Sequence, residues 1–257
     1  MLVGAGLAGC AAPSATTRFR TTDGFTIFAD IHVPPAGAPP APLVVLSHQL
    51  ERDRRSWDPL VPRLLQAGYA VVAVDHRGFG QSVREAASPA RLSMEARARM
   101  ELDLLGAIRA ARGRRGVDAS RVAVIGTGVS ATAAVRCARE DPAVRAVAFL
   151  VGSLDLDAEE LLLDRPDLPL LMVAAAGDVR GTSLMRQYGA RFTGPEQRYI
   201  EMQPVDPNDL ADWRGTDGLA RDTGLADLLL WFLERNLPVP AAAGPEPSTS
   251  GGVGRRP

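Results

Sequence analysis

Five short segments of the chain are almost entirely apolar, and polar or turn-forming residues bound each of them. Apolar runs of four to eight residues are typical of strands that are covered on both faces of a parallel sheet. We therefore predict five buried strands: Leu43–Ser47, Tyr69–Val74, Val122–Ile125, Val144–Val151 and Leu170–Ala175.

The segments around these strands place apolar residues three and four positions apart, the spacing of an amphipathic helix. This spacing predicts five helices: Trp57–Ala67, Met94–Arg112, Ala131–Glu140, Thr182–Phe192 and Asp217–Asn236. A hairpin of Arg18–Arg20 with Phe25–Val33 is predicted at the start, and a further strand at Gln197–Met202. Strands that alternate with helices predict an α/β fold with a mostly parallel, doubly wound sheet flanked by helices.

One domain is predicted over residues 18–237, because the alternation is continuous there and 257 residues is an ordinary length for one α/β domain. Residues 1–17 are predicted to be a leader and tether. Residues 238–257 are rich in Pro, Ala, Gly and Ser without apolar periodicity, which predicts a disordered tail.

Composition excludes several kinds of chemistry. The net charge of −1 offers no positive surplus for phosphate backbones, so nucleic acid is not an expected partner. All 29 cationic residues are arginine, which removes lysine as a nucleophile, base or Schiff-base former. The two cysteines, Cys10 and Cys137, provide neither a disulfide framework nor metal-ligand spacing, and no metal or cofactor is expected. Cys137 is expected to be a small buried hydrophobe within a helix.

The N-terminus carries the pattern of a lipidation site. Leu7-Ala8-Gly9-Cys10 matches the bacterial lipobox, in which small residues precede a lipidated cysteine. Acyl chains on Cys10 would anchor the protein to the membrane of the cell envelope, on its periplasmic or extracellular face. The residues before Cys10 contain no Arg or Lys and are short for a signal sequence, so the alternative is a chance match in a cytoplasmic protein.

The segment that follows Arg121 predicts a buried strand, a tight turn and then a helix. Within it, Gly126-Thr127-Gly128-Val129-Ser130 has small residues at both outer positions of the nucleophile elbow G-x-S-x-G. The central position presents the reactive hydroxyl in that motif, but here it is Gly128, which has no side chain. Ser130 lies at the start of the helix, where a packing or capping role is expected.

Further motifs follow in the order of a known superfamily. Asp75-His76-Arg77-Gly78-Phe79-Gly80-Gln81-Ser82 matches the turn D-x-R-G-x-G-x-S, while Ser47-His48-Gln49-Leu50 and Gly177-Asp178 each follow a buried strand. Together with the elbow, these motifs resemble the α/β-hydrolase superfamily, in its serine esterase and dienelactone-hydrolase-like branch. The resemblance implies the α/β-hydrolase fold over roughly residues 18–236. Only the short acidic linker Leu154–Asp167 lies where relatives insert a cap, so little or no cap domain is expected.

In this superfamily the nucleophile, the acid and the base follow in the order Ser, Asp and His. The resemblance places the nucleophile position at Gly128 and the acid at Asp178, with Asp155 as the second choice. It places the base position at Arg214, which stays protonated and cannot take a proton from a serine. If the fold brings Asp178 and Arg214 together, we expect a charge-assisted ion pair.

The resemblance implies that an oxyanion-type nest is retained. The backbone N–H of Val129, at the positive end of a helix, and that of Gln49 or Leu50 are expected to form it. His48 either lines the cleft as an acid or base or fixes a strand end by hydrogen bonding, and His76 is expected to be structural.

Loss of two of the three triad groups predicts a non-catalytic, hydrolase-derived lipoprotein. It would bind a small carboxylate or ester-like ligand, or a protein partner, in the cell envelope. The alternative is weak or altered ester hydrolysis by a water that Asp178 activates or by another nucleophile, because the oxyanion hole and binding alone can retain about 10³–10⁴-fold acceleration. A decaying copy that still folds is a third interpretation, which the intact strands disfavour.

Overall fold

The computed structural model describes residues 14–35, 39–83, 93–203, 215–221 and 224–240. Its strands are β1 Ser14–Arg20, β2 Thr26–His32, β3 Ala41–Ser47, β4 Ala70–Asp75, β5 Val117–Thr127, β6 Val144–Leu150, β7 Leu170–Ala175 and β8 Gln197–Met202. They form one sheet in the order β1-β2-β4-β3-β5-β6-β7-β8. β2 is antiparallel to both of its neighbours, β1 and β4, and every other pair is parallel.

Helices cover both faces of the sheet. In the described residues they are α1 Val61–Gln66, α2 Met94–Arg97, α3 Glu101–Arg112, α4 Ser130–Glu140, α5 Leu156–Asp164, α6 Val179–Arg191 and α7 Leu225–Asn236. Residues of α3, α4, α5 and α6 belong to the apolar cluster on one face, and residues of α1 and α7 to the cluster on the other. β3, β4 and β7 are buried at every position, as expected for parallel strands covered on both sides. The predicted α/β-hydrolase fold with a mostly parallel sheet is confirmed.

Four predicted helices differ from the structure by more than one residue in their bounds. α1 begins at Val61 and not at Trp57, and α6 begins at Val179 and not at Thr182. The other two are divided. The predicted helix Met94–Arg112 is divided into α2 and α3. Around the break, backbone N–H groups bond to carbonyl oxygens three residues earlier in the chain, as from Leu102 to Arg99 and from Asp103 to Met100. The predicted helix Asp217–Asn236 is a 3₁₀ turn at Gly215–Leu219 followed by α7. Gly224 separates the two with φ +74°, a left-handed conformation that no helix can continue through.

The stretch Leu154–Asp167, predicted to be a linker, contains α5. Asp155 caps this helix by accepting a hydrogen bond from the N–H of Ala158 at 3.0 Å. Acidic residues in the first turn, Asp157 and Glu159, favour the start of a helix through its dipole. The acidic character that suggested a linker is therefore a helix signal, and nine helical residues occupy the connection between β6 and β7.

The domain is longer than the predicted 18–237. Residues 14–17 belong to β1 and pair with residues 29–32 of β2, so they are not part of a tether. At the other end, Arg121 donates a hydrogen bond to the carbonyl oxygen of Pro238 at 2.9 Å, and Val239 packs against the apolar cluster under α1 and α7. The predicted lipidation site Cys10 and the tail from residue 241 onward lie outside the described residues. None of the described helices is both long and apolar enough to cross a membrane.

Candidate functional site

The turn between β5 and α4 has the geometry of a nucleophile elbow. Gly128 lies between the last residue of β5, Thr127, and the helix, and its φ of +61° is in the left-handed region. Its N–H donates to the carbonyl oxygen of Val151 at 2.7 Å, which ties the turn to the end of β6. A strand-to-helix turn of this kind presents the central side chain to the cleft. At Gly128 there is no side chain to present.

Ser130 is not a displaced nucleophile. Its side chain is fully buried, and its Oγ accepts a hydrogen bond from the N–H of Thr127 at 2.9 Å. The same hydroxyl lies 3.0 Å from the carbonyl oxygen of Ser47 and 2.9 Å from that of Thr127. These contacts connect the elbow to the end of β3, in agreement with the predicted packing or capping role.

A cavity of about 220 Å³ opens beside the elbow. Its lining consists of Gln49, Leu50, Thr127, Gly128, Val129, Val151, Asp178 and Gly215. The fold therefore brings together the predicted nucleophile position, the predicted acid and the three predicted sources of oxyanion donors. Arg214 directly precedes Gly215 in the chain but lies outside the described residues, so the Asp178–Arg214 ion pair stays a prediction.

Backbone donors and apolar walls meet at this cavity. For the N–H groups of Leu50 and Val129, no hydrogen bond to another described residue is found. Val129 also occupies the N-cap position of α4, without a side-chain cap, and the dipole of this eleven-residue helix favours a negative or electron-rich group there. The apolar side chains of Leu50, Val129 and Val151 complete the walls. The arrangement can bind a polar oxygen attached to a small apolar group.

The side chain of Gln49 lies over the elbow. Its Oε1 accepts a hydrogen bond from the N–H of Thr216 at 3.4 Å. The same Oε1 lies 3.1 Å from the Thr127 hydroxyl, whose single hydrogen also faces the carbonyl oxygen of Leu150 at 2.9 Å. A Cβ added at Gly128 would lie 3.1 Å from the Cβ of Gln49. A side chain at position 128 would therefore be in close contact with Gln49. The sequence predicted a role only for its backbone, because the partners of the side chain are 78 and 167 positions away.

Backbone strain is concentrated around the same cavity. In the part of the chain that the structure describes, the two residues other than glycine with positive φ are Glu51 at +63° and Val151 at +42°. For a β-branched residue such as Val151 this conformation is a genuine outlier, and strained residues cluster at functional sites. Val151 lines the cavity, and Glu51 lines an open hollow of about 780 Å³ that shares Leu50 with it.

Of the two carboxylates predicted as the acid, only Asp178 reaches the cavity. Asp178 is buried, and its Oδ1 accepts a hydrogen bond from the N–H of Gly181 at 3.1 Å at the start of α6. Asp155 is exposed, caps α5 and pairs with Arg136, away from the elbow. The second choice for the acid is therefore wrong, since Asp155 does not line the cavity.

His48 does not line the cavity, and the alternative that it fixes a strand end holds. Its ring is fully buried; Nε2 accepts a hydrogen bond from the N–H of His76 at 3.1 Å, and Nδ1 lies 2.7 Å from the carbonyl oxygen of Gln49. Nε2 must then be unprotonated, so Nδ1 carries the hydrogen and donates to Gln49. Burial, reinforced by the neighbouring His76, lowers the pKa of His48 to about 3. His48 is neutral and positions the backbone of Gln49.

His76 belongs to a buried polar chain behind the elbow. Its Nε2 lies 2.6 Å from Ser47 Oγ and its Nδ1 lies 3.2 Å from a carboxylate oxygen of Asp103. Asp103 also accepts hydrogen bonds from the backbone and the guanidinium of Arg77. The order Ser–His–Asp is that of a catalytic triad, but all three side chains are fully buried and the chain does not line the cavity. Its role is structural, as predicted for His76.

Cys137 is fully buried in α4, and burial raises the pKa of its thiol well above the usual range. This environment fits the predicted small hydrophobe. Among the described residues, no group of three or more His, Cys, Asp or Glu side chains is arranged to hold a metal ion.

Comparison with known structures supports the fold. A dienelactone hydrolase from Anabaena variabilis has a TM-score of 0.65 and 16% identity, covering 88% of this chain and 99% of that one. A ferulic acid esterase from Streptomyces cinnamoneus has a TM-score of 0.66 and 19% identity, covering 95% of this chain and 96% of that one. At these identities the similarity establishes the α/β-hydrolase fold alone.

Sequence comparison identifies the family. Epoxide hydrolase A from Mycobacterium tuberculosis is 41% identical over 69 residues, which are 27% of this chain and 20% of that protein. The match thus spans about a fifth of the length of this relative. Residues 38–179, over half of the chain, match the family model described as serine aminopeptidase S33. The chain belongs to this serine aminopeptidase S33 family of α/β-hydrolases.

Proposed function

We propose that this protein is a hydrolase-derived binding protein that holds a small carboxylate or ester-like ligand in the cavity beside Gly128. The observation that carries the proposal is the elbow itself. Gly128 has the left-handed conformation of a nucleophile position, at a turn between strand and helix, and has no reactive atom. Without that atom no acyl-enzyme can form there, while the neighbouring N–H groups and apolar walls are suited to binding.

Weak hydrolysis is a second candidate function. One observation favours it: the Asp178 carboxylate lines the same cavity as Gly128 and Val129. In that position it would act as a general base for water, while the N–H of Val129 would stabilise the oxyanion. Such a reaction would lack the serine nucleophile and the histidine base, so we expect it to be slow.

The location of the protein is part of the proposal. The sequence Leu7-Ala8-Gly9-Cys10 supports a lipid anchor on Cys10, which would place the binding domain at the membrane of the cell envelope. A ligand or protein partner would then be met there. Labelling of growing cells with an alkyne fatty acid is expected to mark the protein and not its Cys10→Ser variant; equal absence of label would remove the anchor.

The first prediction concerns ester hydrolysis. The protein is expected to hydrolyse p-nitrophenyl acetate and p-nitrophenyl butyrate no faster than buffer, because position 128 offers no nucleophile. The double variant Gly128→Ser/Arg214→His and the triple variant that adds Gln49→Gly are measured beside it. Since a Cβ at position 128 would lie 3.1 Å from the Cβ of Gln49, the triple variant is expected to be the more active of the two.

Turnover by the unaltered protein well above buffer would contradict the proposal. The Asp178→Asn variant then separates the two candidate functions, because it removes the base that would activate water. For the ligand, isothermal titration with sodium butyrate and methyl butyrate is expected to show binding. If neither binds, the proposed ligand class is wrong.

A further inference from the structure

We propose that the end of the domain opposite the cavity is a docking surface for a bilayer of anionic phospholipid, which arginine side chains contact. This surface, the basic end, is formed by residues 112–121, from the last residue of α3 into β5, and by residues 139–145, from the end of α4 to the start of β6. The inference extends the proposed location at the membrane, but it does not need an acyl chain on Cys10.

Positive charge exceeds negative charge at the basic end. Its cationic residues are Arg112, Arg114, Arg115, Arg121, Arg139 and Arg145. Its acidic residues, Asp118, Glu140 and Asp141, each pair with one of these arginines. Arg114, Arg115 and Arg145 are exposed, and no ion pair of theirs with another described residue is found. Three positive charges therefore face solvent here, although the whole chain has a net charge of −1.

Two of these arginines line one open hollow. Its volume is about 580 Å³, and Arg112, Ser120, Asp141 and Arg145 are among the residues that line it. Arg112 donates a hydrogen bond to Asp141 at 2.6 Å, whereas no hydrogen bond from Arg145 to another described residue is found. The donors of Arg145 are thus available, and the planar fork of a guanidinium matches the oxygens of a phosphate. The hollow is suited to a phospholipid headgroup.

The topology of the sheet brings the start of the domain to the same end. Ser14, the first residue of β1, pairs with His32 at the end of β2, and His32 also pairs with Val71 near the start of β4. Because β4, β3, β5 and β6 are parallel, their amino ends lie together at this end of the sheet. Cys10 precedes Ser14 by four positions, so a lipid anchor there would join the domain at the end that carries the arginines.

Attraction at the basic end would also orient the domain on the bilayer. The cavity beside Gly128 lies at the carboxyl ends of the parallel strands, and the basic end lies at their amino ends. A charged patch on one end of a molecule orients it towards a surface of opposite charge. The cavity would therefore open to the aqueous phase, from which a small polar ligand can enter it.

The test uses the full chain with the substitution Cys10→Ser, so that no acyl chain contributes. The protein is expected to sediment with vesicles of equal parts phosphatidylglycerol and phosphatidylcholine, and not with phosphatidylcholine alone. Sodium chloride at about 1 M is expected to release it, since the screening length is then only about 3 Å. Absence of binding to the anionic vesicles, or equal binding to both kinds, would overturn the proposal. The butyrate titrations test the cavity separately and are unaffected by either result.

The decisive variant is Arg114→Gln/Arg115→Gln/Arg145→Gln in the same Cys10→Ser chain. Each arginine close to an anionic bilayer strengthens binding about fivefold, so removal of all three is expected to raise the dissociation constant for the anionic vesicles at least tenfold. These side chains are exposed and have no ion pair to lose, so the urea midpoint is expected to stay the same.

The matched control is Arg55→Gln/Arg99→Gln/Arg180→Gln. It removes the same number of exposed arginines, but from segments at the carboxyl ends of the strands: the turn after β3, the start of α3 and the start of α6. Both triple variants change the net charge equally, so a general charge effect would weaken both to the same extent. We expect the control to bind almost as well as the Cys10→Ser chain. Equal weakening of the two would show that the basic end is not the contact surface.

A second measurement reports the orientation without removing any arginine. In the Cys10→Ser chain the remaining Cys137 is buried, so a polarity-sensitive dye can be attached to one introduced cysteine. Ser120→Cys places the dye at the basic end, and Ser153→Cys places it after β6, at the other end. On binding to anionic vesicles the dye at position 120 is expected to shift its emission to the blue, while the dye at position 153 does not. The reverse result would contradict the proposed orientation.

Discussion

Gly128 combines a left-handed backbone with a close neighbour. At φ +61° any residue with a Cβ is strained. A Cβ at this position would also lie only 3.1 Å from the Cβ of Gln49. In active enzymes of this fold a serine adopts this strained conformation because the surrounding turn holds it there, with its hydroxyl exposed to the cleft. Here the glycine removes both the strain and the reactive group, and Gln49 takes up the adjacent space.

The second prediction follows from that local conflict. Gly128→Ala is expected to lower the free energy of unfolding by about 1–2 kcal/mol, because it forces a Cβ into a left-handed position beside Gln49. Gly113→Ala is the matched control, because Gly113 has φ −81° at the end of α3 and its added Cβ would meet no atom of another described residue within 4 Å, apart from its chain neighbours. Urea unfolding of both variants measures the difference. Equal effects of the two substitutions would show that the elbow does not resist a side chain.

At this scale the sequence reveals positions but not their contacts. Gly128 and Asp178 were found because short motifs surround them, and both line the cavity. Gln49 has no such motif for its side chain, and its role depends on Thr127 and Thr216, which only the folded chain brings near. Asp155 fitted the acid position equally well by residue type, but its side chain is used in capping α5.

Three elements meet in the buried network behind the elbow. His48 follows β3, His76 follows β4, and Asp103 lies in α3; hydrogen bonds join His48 to His76 and His76 to Asp103. Because His48 also donates to the carbonyl oxygen of Gln49, the network reaches the loop that lines the cavity. The packing of these elements therefore decides where the donors of the site lie.

The third prediction is a pH dependence that originates in this network. Burial and the neighbouring His76 lower the pKa of His48 to about 3, whereas in the unfolded chain it is close to 6.5. Between these values the unfolded chain binds one more proton, so the stabilisation is complete above about pH 6.5 and declines as the pH falls towards 3. At pH 5 the loss due to this group is about 2 kcal/mol of unfolding free energy.

Urea unfolding at pH 7 and pH 5 measures that loss. The unaltered protein is expected to lose about 2 kcal/mol more between the two pH values than a His48→Asn variant, since contributions of the carboxylates are common to both. His32→Gln is the control, because half-burial gives that histidine a smaller lowering of its pKa. A His48→Asn variant with the pH dependence of the unaltered protein would contradict the prediction.

Elements were predicted best where their apolar pattern was continuous. β7 is apolar throughout and β3 and β4 are apolar up to their last residues, Ser47 and Asp75; the predicted bounds of all three differ from the structure by at most two residues. The apolar spacing of the two divided helices is unbroken, but the backbone interrupts both. At residues 98–100 hydrogen bonds of shorter sequence range replace the helical ones, and at Gly224 the glycine is left-handed. The spacing of apolar residues predicts which face of a helix is buried, but it does not predict where the backbone breaks the helix.

At the scale of the molecule, the cavity lies where the fold places binding sites. Most of its lining lies at the carboxyl ends of the parallel strands β3, β5, β6 and β7, where α/β sheets bind ligands. The 3₁₀ turn Gly215–Leu219 adds Gly215. These four strands lie side by side in the sheet, and the two apolar clusters pack on its faces, which keeps the loops close together. A chain can lose its nucleophile without losing this scaffold, because the scaffold depends on buried strands and not on catalytic side chains.

The last prediction concerns the extent of the domain. Residues 14–17 pair with residues 29–32, and the Thr16 hydroxyl donates to Asp30 at 2.6 Å; Asp30 in turn pairs with Arg54. A chain of residues 18–240 is therefore expected to be about 1–3 kcal/mol less stable than one of residues 14–240, as each cross-strand pair contributes roughly 0.2–1 kcal/mol. Equal urea midpoints for the two would mean that these residues are a tether after all. A lower midpoint for the shorter chain would place the start of the domain at β1, because the pairing of residues 14–17 with β2 would then contribute to stability.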